Sequence, residues 1–512
     1  MEGGSWKEPD ETLTAPRGKK MNRKLLFAVL AAAAASLLLG VARASAWQKD
    51  PDSMVDPVKV VASLVLPTPD VTIGDQDTTV AGIGDATVGA GDMSYSDPPH
   101  GTTFWVDNTP LSGDCPQATF VSIQSAVTAS GPNDTVKVCP GTYMEQVRIA
   151  GSTHDGLRLE SLTPLGATIQ FPAVTSINHQ LIDVDDADGV TIRGFVITGP
   201  FNSAGCSVDR WEGVLFENNA VNGRLDHNHV TLIRDVDPAL WGCQQGDAVA
   251  IGRRLLDPTP PGIPASAEID HNVIDRYQKN GVQAVNPGTN AIVHHNTINA
   301  STEPALRAII ASNGVVVFRE AAATVEFNSV ANNQFTAFPL STGIILDEAP
   351  AGSSEVDHNS VFDNDFGIET DTQMGLDISH NSVYDNLGDA ITLCGEVTFF
   401  CGPAEQIVVR ANDVTGNLGS GIALFGADSN LLKSNHIEHN GSPTGDTTDG
   451  IRVDSGSMDN QILDNHMHAN VHHDCHDDSA GAGTGGTANT WSGDSGDTQN
   501  RDGLCRFATT IP

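Results

Sequence analysis

The chain has 512 residues, and its 27 Lys and Arg stand against 64 Asp and Glu, which gives a formal net charge of −37 at pH 7. Binding to a nucleic-acid backbone depends on clustered Lys and Arg, so this charge balance excludes nucleic acid as a partner. It also disfavours a strongly anionic polysaccharide, unless a cation bridges the polysaccharide and the protein.

The N-terminal segment has the pattern of an export signal. A second methionine, Met21, begins a basic MNRK segment, which is followed by the apolar run 25–42 and by the small residues that end at Ala46. This order is typical of a secretory signal peptide, so we expect cleavage after Ala46 and a secreted protein without a membrane segment afterwards. Either Met1 or Met21 can be the true start. The alternative is an uncleaved anchor, because the apolar run is just long enough to span a bilayer.

The next segment, 47–114, is rich in Asp, Gly, Thr and Pro and includes the run IGDQDTTVAGIGDATVGAGD. Its composition predicts a low-complexity linker, and its Gly-Asp pairs lack the frame of calcium-binding nonapeptide repeats. The predicted organisation is therefore a leader and signal peptide over 1–46, this linker, a repeat domain over 115–475 and a closing tail over 476–512.

The repeat domain begins with a short amphipathic helix, because Phe120, Ile123, Ala126 and Val127 fall on one helical face. Thr119 or Ser122 would cap it. The sequences SIQSAV, NDTVKV and PGTYMEQVRI resemble the capping helix and first coil of the pectin-lyase-like β-helix superfamily. This resemblance implies a right-handed parallel β-helix whose open end is covered by the helix.

A phrase of the form Asn, any residue, aliphatic, two residues, Asn returns through the second half of the chain. Its first asparagines are Asn328, Asn359, Asn381, Asn412, Asn435 and Asn465, with weaker copies at Asn219, Asn228, Asn272 and Asn296. The spacing fits a unit of about 22 to 24 residues with insertions, which is typical of a solenoid.

Each unit also contains a Gly-aliphatic strand, such as TGIILD, and a third short strand before the Asn. Three strands with period-two alternation in every unit predict an all-β fold, a single right-handed parallel β-helix of roughly ten to twelve coils. We expect the asparagines to occupy the left-handed conformation at a tight bend and to form a hydrogen-bonded ladder.

The eight cysteines form an even set suited to an oxidising compartment. Neighbours in the sequence of a solenoid are neighbours in space, so we expect disulfides between cysteines that are adjacent in the sequence. The predicted pairs are Cys115–Cys139, Cys206–Cys243, Cys394–Cys401 and Cys475–Cys505, and the last would pin the C-terminal tail.

Enzymes of the resembled superfamily act on the face of the Gly-aliphatic strands. Alternation predicts that the outward residues of these strands form one row. The row is Ala250, Gln283, Val316, Ile345, Glu369, Thr392, Ala423 and Arg452. The candidate catalytic residues are Arg319, Asp347, Glu369 and Asp389, and the candidate substrate-binding residues are Lys279, Gln283 and Arg452.

The four catalytic candidates come from consecutive predicted coils, which lie about 5 Å apart. Carboxylates at that spacing repel each other, so one keeps its proton near neutral pH, and such a pair suits glycosidic hydrolysis. Ca²⁺ at Asp347, Glu348 and Asp371 would instead suit β-elimination or C5 epimerisation of a uronic acid. On a protein this acidic, surface acids also align by chance.

Histidine offers a rival site. His227, His271, His295, His358 and His380 each directly precede a ladder Asn, so we expect them to point outward on the strand before the bend. Such a set predicts a stacked surface column or a transition-metal site. A denser set consists of His466, His468, His472, His473 and His476 with Asp474 and Asp477, and a loop of this composition can bind zinc or copper.

The leading functional prediction is a monomeric, secreted protein that binds and modifies an extracellular polysaccharide by lyase, epimerase or hydrolase chemistry. The motifs of specific enzyme families are missing, and several outward positions are small or apolar. A non-catalytic adhesin or glycan-binding module is therefore the first alternative, and a periplasmic-type metal-handling accessory protein is the second.

Overall fold

Short strands in the repeat region form coils because inward aliphatic residues alternate with outward polar ones, and Gly, Asn or Asp interrupts each run. The computed structural model describes residues 101–109, 115–175, 179–206, 210–253, 263–395, 401–443 and 448–507. The predicted leader and signal peptide, 1–46, and the linker before residue 101 lie outside the described residues. In the described part, no helix is long and apolar enough to cross a membrane.

Three long parallel sheets contain nearly all the strands. The first sheet consists of Thr103–Val106, Thr135–Val138, Arg158–Ser161, Thr191–Arg193, Gly223–Asp226, Ser266–Asp270, Asn290–His294, Ala322–Glu326, Glu355–Asp357, Asp377–Ser379, Val408–Arg410, Leu431–Lys433, Gln461–Leu463 and Thr490–Ser492. The second sheet consists of Val147–Ala150, Gln180–Asp185, Glu212–Glu217, Asp247–Ile251, Asn280–Val285, Asn313–Phe318, Thr342–Asp347, Phe366–Asp371, Ile391–Cys394, Ile422–Phe425, Ile451–Val453 and Cys475–Asp477.

The third sheet consists of Gly141–Tyr143, Ala167–Gln170, Val196–Thr198, His229–Thr231, Val273–Asp275, Thr297–Asn299, Ser329–Ala331, Ser360–Phe362, Ser382–Tyr384, Asp413–Thr415, His436–Glu438 and His466–His468. A small extra sheet pairs Ala404–Glu405 with Ala427–Asp428. Each turn of the chain adds one strand to the first, third and second sheets in that order. The architecture confirms the predicted all-β fold, a right-handed parallel β-helix.

The sheets extend beyond the predicted limits of the repeat domain at both ends. Thr103–Val106 lies in the predicted linker 47–114 but pairs in register with Thr135–Val138. Thr490–Ser492 lies in the predicted tail 476–512 but pairs with Gln461–Leu463. Both segments are too short to carry the repeat phrase, so their alternation alone did not identify them as strands.

One continuous apolar core fills the interior and contains the inward aliphatic residues of all three sheets. The glycines of the Gly-aliphatic phrases keep the second sheet close to this core. A Cβ added at Gly343 would lie 2.5 Å from Cγ1 of Val361 and 2.8 Å from the carbonyl oxygen of Gly367. A side chain therefore does not fit at Gly343 unless the strand shifts.

Buried asparagine ladders run along the corners of the coils. In the first ladder, each Nδ2 donates to the Oδ1 of the asparagine one coil further on, from Asn228 to Asn272 at 3.2 Å and from Asn381 to Asn412 at 3.0 Å. A parallel ladder, five residues on, includes Asn386, whose Nδ2 donates to Oδ1 of Asn417 at 2.8 Å. The predicted ladder is confirmed for Asn228 onwards.

The left-handed residue at each corner is the one before the ladder asparagine, which corrects the prediction that the asparagine itself adopts this conformation. Its φ is 53° at His358 and 52° at His380, and 54° at Ala411 in a later coil. Asn219, a weak copy of the phrase, does have a φ of 68°, but it stands outside the ladder.

The helix Ile123–Ala129 caps the first end of the core. Ser122 is its N-cap, and Ile123, Ala126 and Val127 are buried, as predicted, whereas Phe120 precedes the helix and forms a β-bridge with Val106. The carboxylate of Glu145 accepts hydrogen bonds from the backbone N–H groups of Ile123 at 2.8 Å and Gln124 at 3.0 Å. These bonds tie the helix to the first coil.

The four disulfides are those that the sequence predicts: Cys115–Cys139, Cys206–Cys243, Cys394–Cys401 and Cys475–Cys505. Insertions between the third and second sheets add the short helix Pro304–Arg307 and the 3₁₀ turn Pro238–Leu240, and further 3₁₀ turns lie at Ser152–His154 and Thr484–Gly486. Trp241, Leu306 and Ile310 from these insertions form a small apolar cluster outside the main core.

Candidate functional site

The outer face of the second sheet contains the predicted row of outward residues. Register pairs Ala250 with Gln283, Gln283 with Val316, Val316 with Ile345 and Ile345 with Glu369. The row continues through Thr392, Ala423 and Arg452 to His476. Several of its members are nevertheless buried, including Ala250, Gln283 and Ala423. Alternation predicts where these side chains point but not what covers them.

The predicted catalytic residues lie on a diagonal across this face. Asp347 ends its strand and pairs with Asp371, whereas Glu369 lies in the middle of the next strand and pairs with Thr392. Asp389 lies two residues before the strand Ile391–Cys394, and its Oδ1 accepts a hydrogen bond from the backbone N–H of Ser420 at 2.5 Å. The structure thus brings these acids onto neighbouring coils at different heights along the strands.

The surroundings of these acids raise their pKa values. Burial, followed by the charges of Asp371 and Glu348, raises the pKa of Asp347 to about 7. Burial also raises the pKa of Glu369, although Oγ1 of Thr342 donates a hydrogen bond of 2.8 Å to its carboxylate and opposes this shift. Burial raises the pKa of Asp389 as well. The protonated and ionised forms of Asp347 therefore coexist near neutral pH.

Arg319 follows its strand at a φ of 53°, and its guanidinium carbon lies 5.6 Å from the centre of the Phe318 ring. The predicted calcium ligands Asp347, Glu348 and Asp371 do not bring three carboxylate oxygens within 4.8 Å of one another. Among the described residues, five other clusters of Asp, Glu and His do bring their ligand atoms this close.

A groove on the outer face joins two of the predicted residues. This groove, of about 220 Å³, is lined by Gln244, Lys279, Asn280, Asn313, Val316, Phe318, Ile345 and Asp347. The ammonium group of Lys279 donates a hydrogen bond of 2.6 Å to the carbonyl oxygen of Ala311. Burial, followed by the charge of Arg210, lowers the pKa of Lys279 to about 8.

A row of hydrogen-bonded polar side chains runs across successive coils and includes Asn280 and Asn313 of the groove. Buried Arg210 donates to both oxygens of Asp247, at 2.9 and 2.8 Å, and Asn280 donates to the same carboxylate at 2.8 Å. Nδ2 of Asn313 donates a hydrogen bond to Oδ1 of Asn280 at 3.4 Å, and Oδ1 of Asn313 accepts a hydrogen bond from the backbone N–H of Thr342 at 3.0 Å. The row ends at Thr342, which holds Glu369.

The remaining substrate-binding candidates differ in position. Gln283 is buried beside the groove, where its Oε1 accepts from Asn280 at 3.2 Å and its Nε2 donates no hydrogen bond to a described residue. Arg452 lies six coils further on, at about 29 Å for a coil spacing of 4.8 Å. Gln283 thus lies beside the groove without lining it, and Arg452 lies far from it.

The histidines before the ladder asparagines form a stacked column. Ring centres are 4.8 Å apart between His227 and His271, 5.0 Å between His271 and His295, and 4.8 Å between His358 and His380. Phe327 fills the gap between His295 and His358. These residues occupy the corner itself, not the strand before it as predicted. We call this column the ridge.

The dense histidine set at the C-terminal end separates in space. His468 contacts Asp497, and Asp474 and Asp477 accept hydrogen bonds from other neighbours. His473 and His476 instead converge on Asp449, which lies one coil earlier. The sequence does not link Asp449 to these histidines, because a separation of 24 positions between Asp449 and His473 obscures their register.

Comparisons with known proteins give a family match for part of the chain. Residues 265–501 match the family model described as "Periplasmic copper-binding protein (NosD)". No curated protein matches the chain. That family match covers the C-terminal histidines, most of the ridge and part of the groove.

Several solved structures are similar to this chain. XylC in complex with xylose has a TM-score of 0.49 and 11% identity, with 68% of this chain and 77% of that chain covered. The Dettilon tailspike protein has a TM-score of 0.49 and 17% identity, with 71% and 66% covered. The A-module of the Azotobacter vinelandii mannuronan C-5 epimerase AlgE4 has a TM-score of 0.41 and 14% identity, with 75% and 94% covered.

The three parallel sheets, the corner ladders and the capping helix together match the expectation from the sequence. The chain is a right-handed parallel β-helix repeat protein, as the sequence predicts.

Proposed function

We propose that this protein is exported and binds an extended polysaccharide along the outer face of the second sheet, where the groove between Lys279 and Asp347 holds one sugar unit. The groove offers amides from Asn280, Asn313 and Gln244 for sugar hydroxyls. Val316, Phe318 and Ile345 supply an apolar floor for the ring face. The observation that carries the proposal is the presence, in this groove, of two titratable groups with pKa values moved towards neutrality.

These two groups support acid–base chemistry on the bound sugar. A lysine with a pKa of about 8 is partly neutral at pH 7 and can accept a proton. An aspartic acid with a pKa of about 7 is partly protonated and can donate one. In a uronic-acid chain, removal of the C5 proton by Lys279 and protonation by Asp347 would give β-elimination or epimerisation. Ca²⁺ carried by the substrate would neutralise the sugar carboxylate.

The test is incubation of the mature chain with polyuronates and with neutral polysaccharides, in the presence of calcium and of a chelator. Ultraviolet absorbance from unsaturated sugars indicates elimination, a changed C5 stereochemistry by NMR indicates epimerisation, and new reducing ends alone indicate hydrolysis. Lys279→Met and Asp347→Asn should each reduce kcat/KM by about 10² to 10⁴. Retained activity in both variants would contradict the proposed acid–base pair.

Matched controls carry the same substitutions on other faces. Lys433→Met changes a lysine of the first sheet, and Asp413→Asn changes an exposed acid of the third sheet. Both should keep full activity. Polysaccharide binding without product, weakened by Lys279→Met, would support the non-catalytic glycan-binding alternative. An absence of binding to every polysaccharide would contradict the proposal as a whole.

A second candidate function is metal handling in the periplasm or outside the cell. It is favoured by the match of residues 265–501 to a family described as periplasmic copper-binding proteins. Several Asp and His clusters of this chain also lie in that range. The two functions use different parts of the coil stack and are separable by mutation.

A further inference from the structure

The cluster of Asp449, His473 and His476 lies at the C-terminal end of the outer face. Asp449 precedes the strand Ile451–Val453, and the two histidines flank the start of Cys475–Asp477 in the next coil. Oδ1 of Asp449 lies 3.2 Å from Nδ1 of His473, and Oδ2 lies 3.3 Å from Nδ1 of His476. The two Nδ1 atoms are 3.4 Å apart.

These separations fit a shared metal ion. Zinc bonds of about 2.0 to 2.1 Å in a tetrahedral arrangement place neighbouring ligand atoms about 3.3 Å apart. The two imidazole rings are inclined by 63°, so their nitrogen lone pairs can converge on one point. Two imidazoles and a carboxylate suit a divalent transition metal such as Zn²⁺ or Cu²⁺ better than Ca²⁺ or Mg²⁺.

A second observation points to a missing ligand. Asp449 has a side-chain exposure of 1%, and its Oδ2 accepts no hydrogen bond from the described residues. The nearest Arg nitrogen, Nη1 of Arg452, is 3.9 Å away. A buried carboxylate oxygen without a hydrogen-bond donor is costly, and a cation held between Asp449 and the two rings would satisfy it.

Neighbouring groups hold the three residues in place. The backbone N–H of His473 donates to Oδ1 of Asp449 at 3.1 Å. Oδ2 of Asp478 lies 3.0 Å from Nε2 of His476, the position that a carboxylate takes behind a metal-bound histidine. The Cys475–Cys505 disulfide fixes one of the two residues between the histidines. The site is therefore supported before any ion binds.

Among the described residues, the clusters of Asp and His in the ridge lack an unpartnered buried carboxylate oxygen of the kind found at Asp449. His358 and His380 stack at 18° with ring centres 4.8 Å apart, and their Nδ1 atoms contact different oxygens of Asp357, so both oxygens of this carboxylate already have partners. Asp270, in the cluster around His271, is already paired with Arg224 by two hydrogen bonds of 2.9 and 2.8 Å. Neither arrangement leaves a free buried carboxylate oxygen between converging rings.

We propose that Asp449, His473 and His476 bind one divalent transition-metal ion, with at least one coordination position left for water or an exogenous ligand. The proposal rests on the second candidate function and names its site. The three ligands come from two successive coils, so the ion would link the coil at Ile451–Val453 to the last coil of the second sheet.

The experiment is a titration of the chelator-treated full chain with Zn²⁺ and, separately, Cu²⁺, followed by isothermal calorimetry and by metal analysis after dialysis. We expect one tight equivalent in the wild type. Asp449→Asn and His476→Gln should each weaken it by about 100-fold or more. Asp478→Asn should weaken it by about 10- to 100-fold, as expected for a group that orients a ligand.

The matched control is His380→Gln in the ridge, which should leave the tight equivalent unchanged. A melting curve in chelator checks that each variant folds without metal, and Cu²⁺ electron paramagnetic resonance of the wild type should show nitrogen ligands that His476→Gln reduces. Failure of the wild type to bind either ion overturns both the site and the metal-handling function. Tight binding that survives Asp449→Asn and His476→Gln overturns only the site.

Discussion

The corner ladders and the outer face of the second sheet contrast sharply in how their polar groups are satisfied. In the ladders, successive coils repeat asparagine, and the buried amides both donate and accept hydrogen bonds, as Asn381 does. On the outer face, the residue type changes from coil to coil, and buried polar atoms of Gln283 and Asp449 lack hydrogen-bond partners among the described residues. Stability comes from the regular region, whereas candidate chemistry lies in the irregular one.

The largest expected effect comes from a break in a ladder. In Asn381→Leu, the variant loses hydrogen bonds from Nδ2 to Val356 O at 2.9 Å and to Asn412 Oδ1 at 3.0 Å. It also removes the Oδ1 that accepts hydrogen bonds from the backbone N–H of Asn359 at 2.9 Å and from its Nδ2 at 3.0 Å. We expect a loss of about 3 to 5 kcal/mol in the free energy of unfolding, measured by urea denaturation.

The control for this change is Asn299→Leu, because Asn299 lies on the third sheet outside the ladders and accepts from Asn332 at 2.8 Å. This substitution should cost less than about 1 kcal/mol. Equal losses in the two variants would show that the ladder has no special contribution to stability.

A smaller loss is expected where the second sheet approaches the core. Gly343→Ala places a methyl group 2.5 Å from Cγ1 of Val361 and 2.9 Å from Nδ2 of Asn364. The strand must shift, and we expect a cost of about 1 to 3 kcal/mol by urea denaturation. Gly131→Ala is the control, since its added Cβ would meet Asp134 at 3.5 Å, which is ordinary contact. A neutral Gly343→Ala would contradict the close packing.

The fold class could be predicted from the sequence because the ladder repeats in nearly every coil and the phrase survives insertions. The conformation at the corner was misplaced by one residue, since His358 and Asn359 are both types that tolerate a positive φ. The site was harder to predict. Whether Gln283 is buried depends on how insertions fold back over the sheet. Whether Asp449 contacts His473 depends on the register of two strands that a long connection separates. Neither the folding of an insertion nor such a register has a local sequence pattern.

The outer face predicts a pH dependence that the asparagines of the ladders lack, because amide side chains do not titrate. Burial and the charges of Asp371 and Glu348 raise the pKa of Asp347 from 3.8 to about 7. The folded chain therefore binds this proton more tightly than the unfolded chain, so the stabilisation is complete below about pH 4 and is lost as the pH rises to about 7. Asp347→Asn should remove about 1 to 3 kcal/mol of the difference in unfolding free energy between pH 4 and pH 7.5.

Asp413→Asn serves as the control for this pH effect, because the Asp413 side chain is 62% exposed on the third sheet. The difference between pH 4 and pH 7.5 should be the same in this variant as in the wild type. If Asp347→Asn also keeps the wild-type difference, the groove does not hold a proton near neutrality, and the acid role of Asp347 fails with it.

The smallest effect is expected in the ridge, which is almost as regular as the ladders but exposed. The ring of His358 stacks between Phe327 and His380 at 4.8 Å on each side, and its side chain is 45% exposed. His358→Asn removes this stacking while keeping a residue that tolerates the φ of 53° at this corner. We expect a loss of about 0.5 to 1 kcal/mol, measured by urea denaturation. A loss as large as that of Asn381→Leu would mean that repetition, rather than burial of satisfied amides, stabilises the corners.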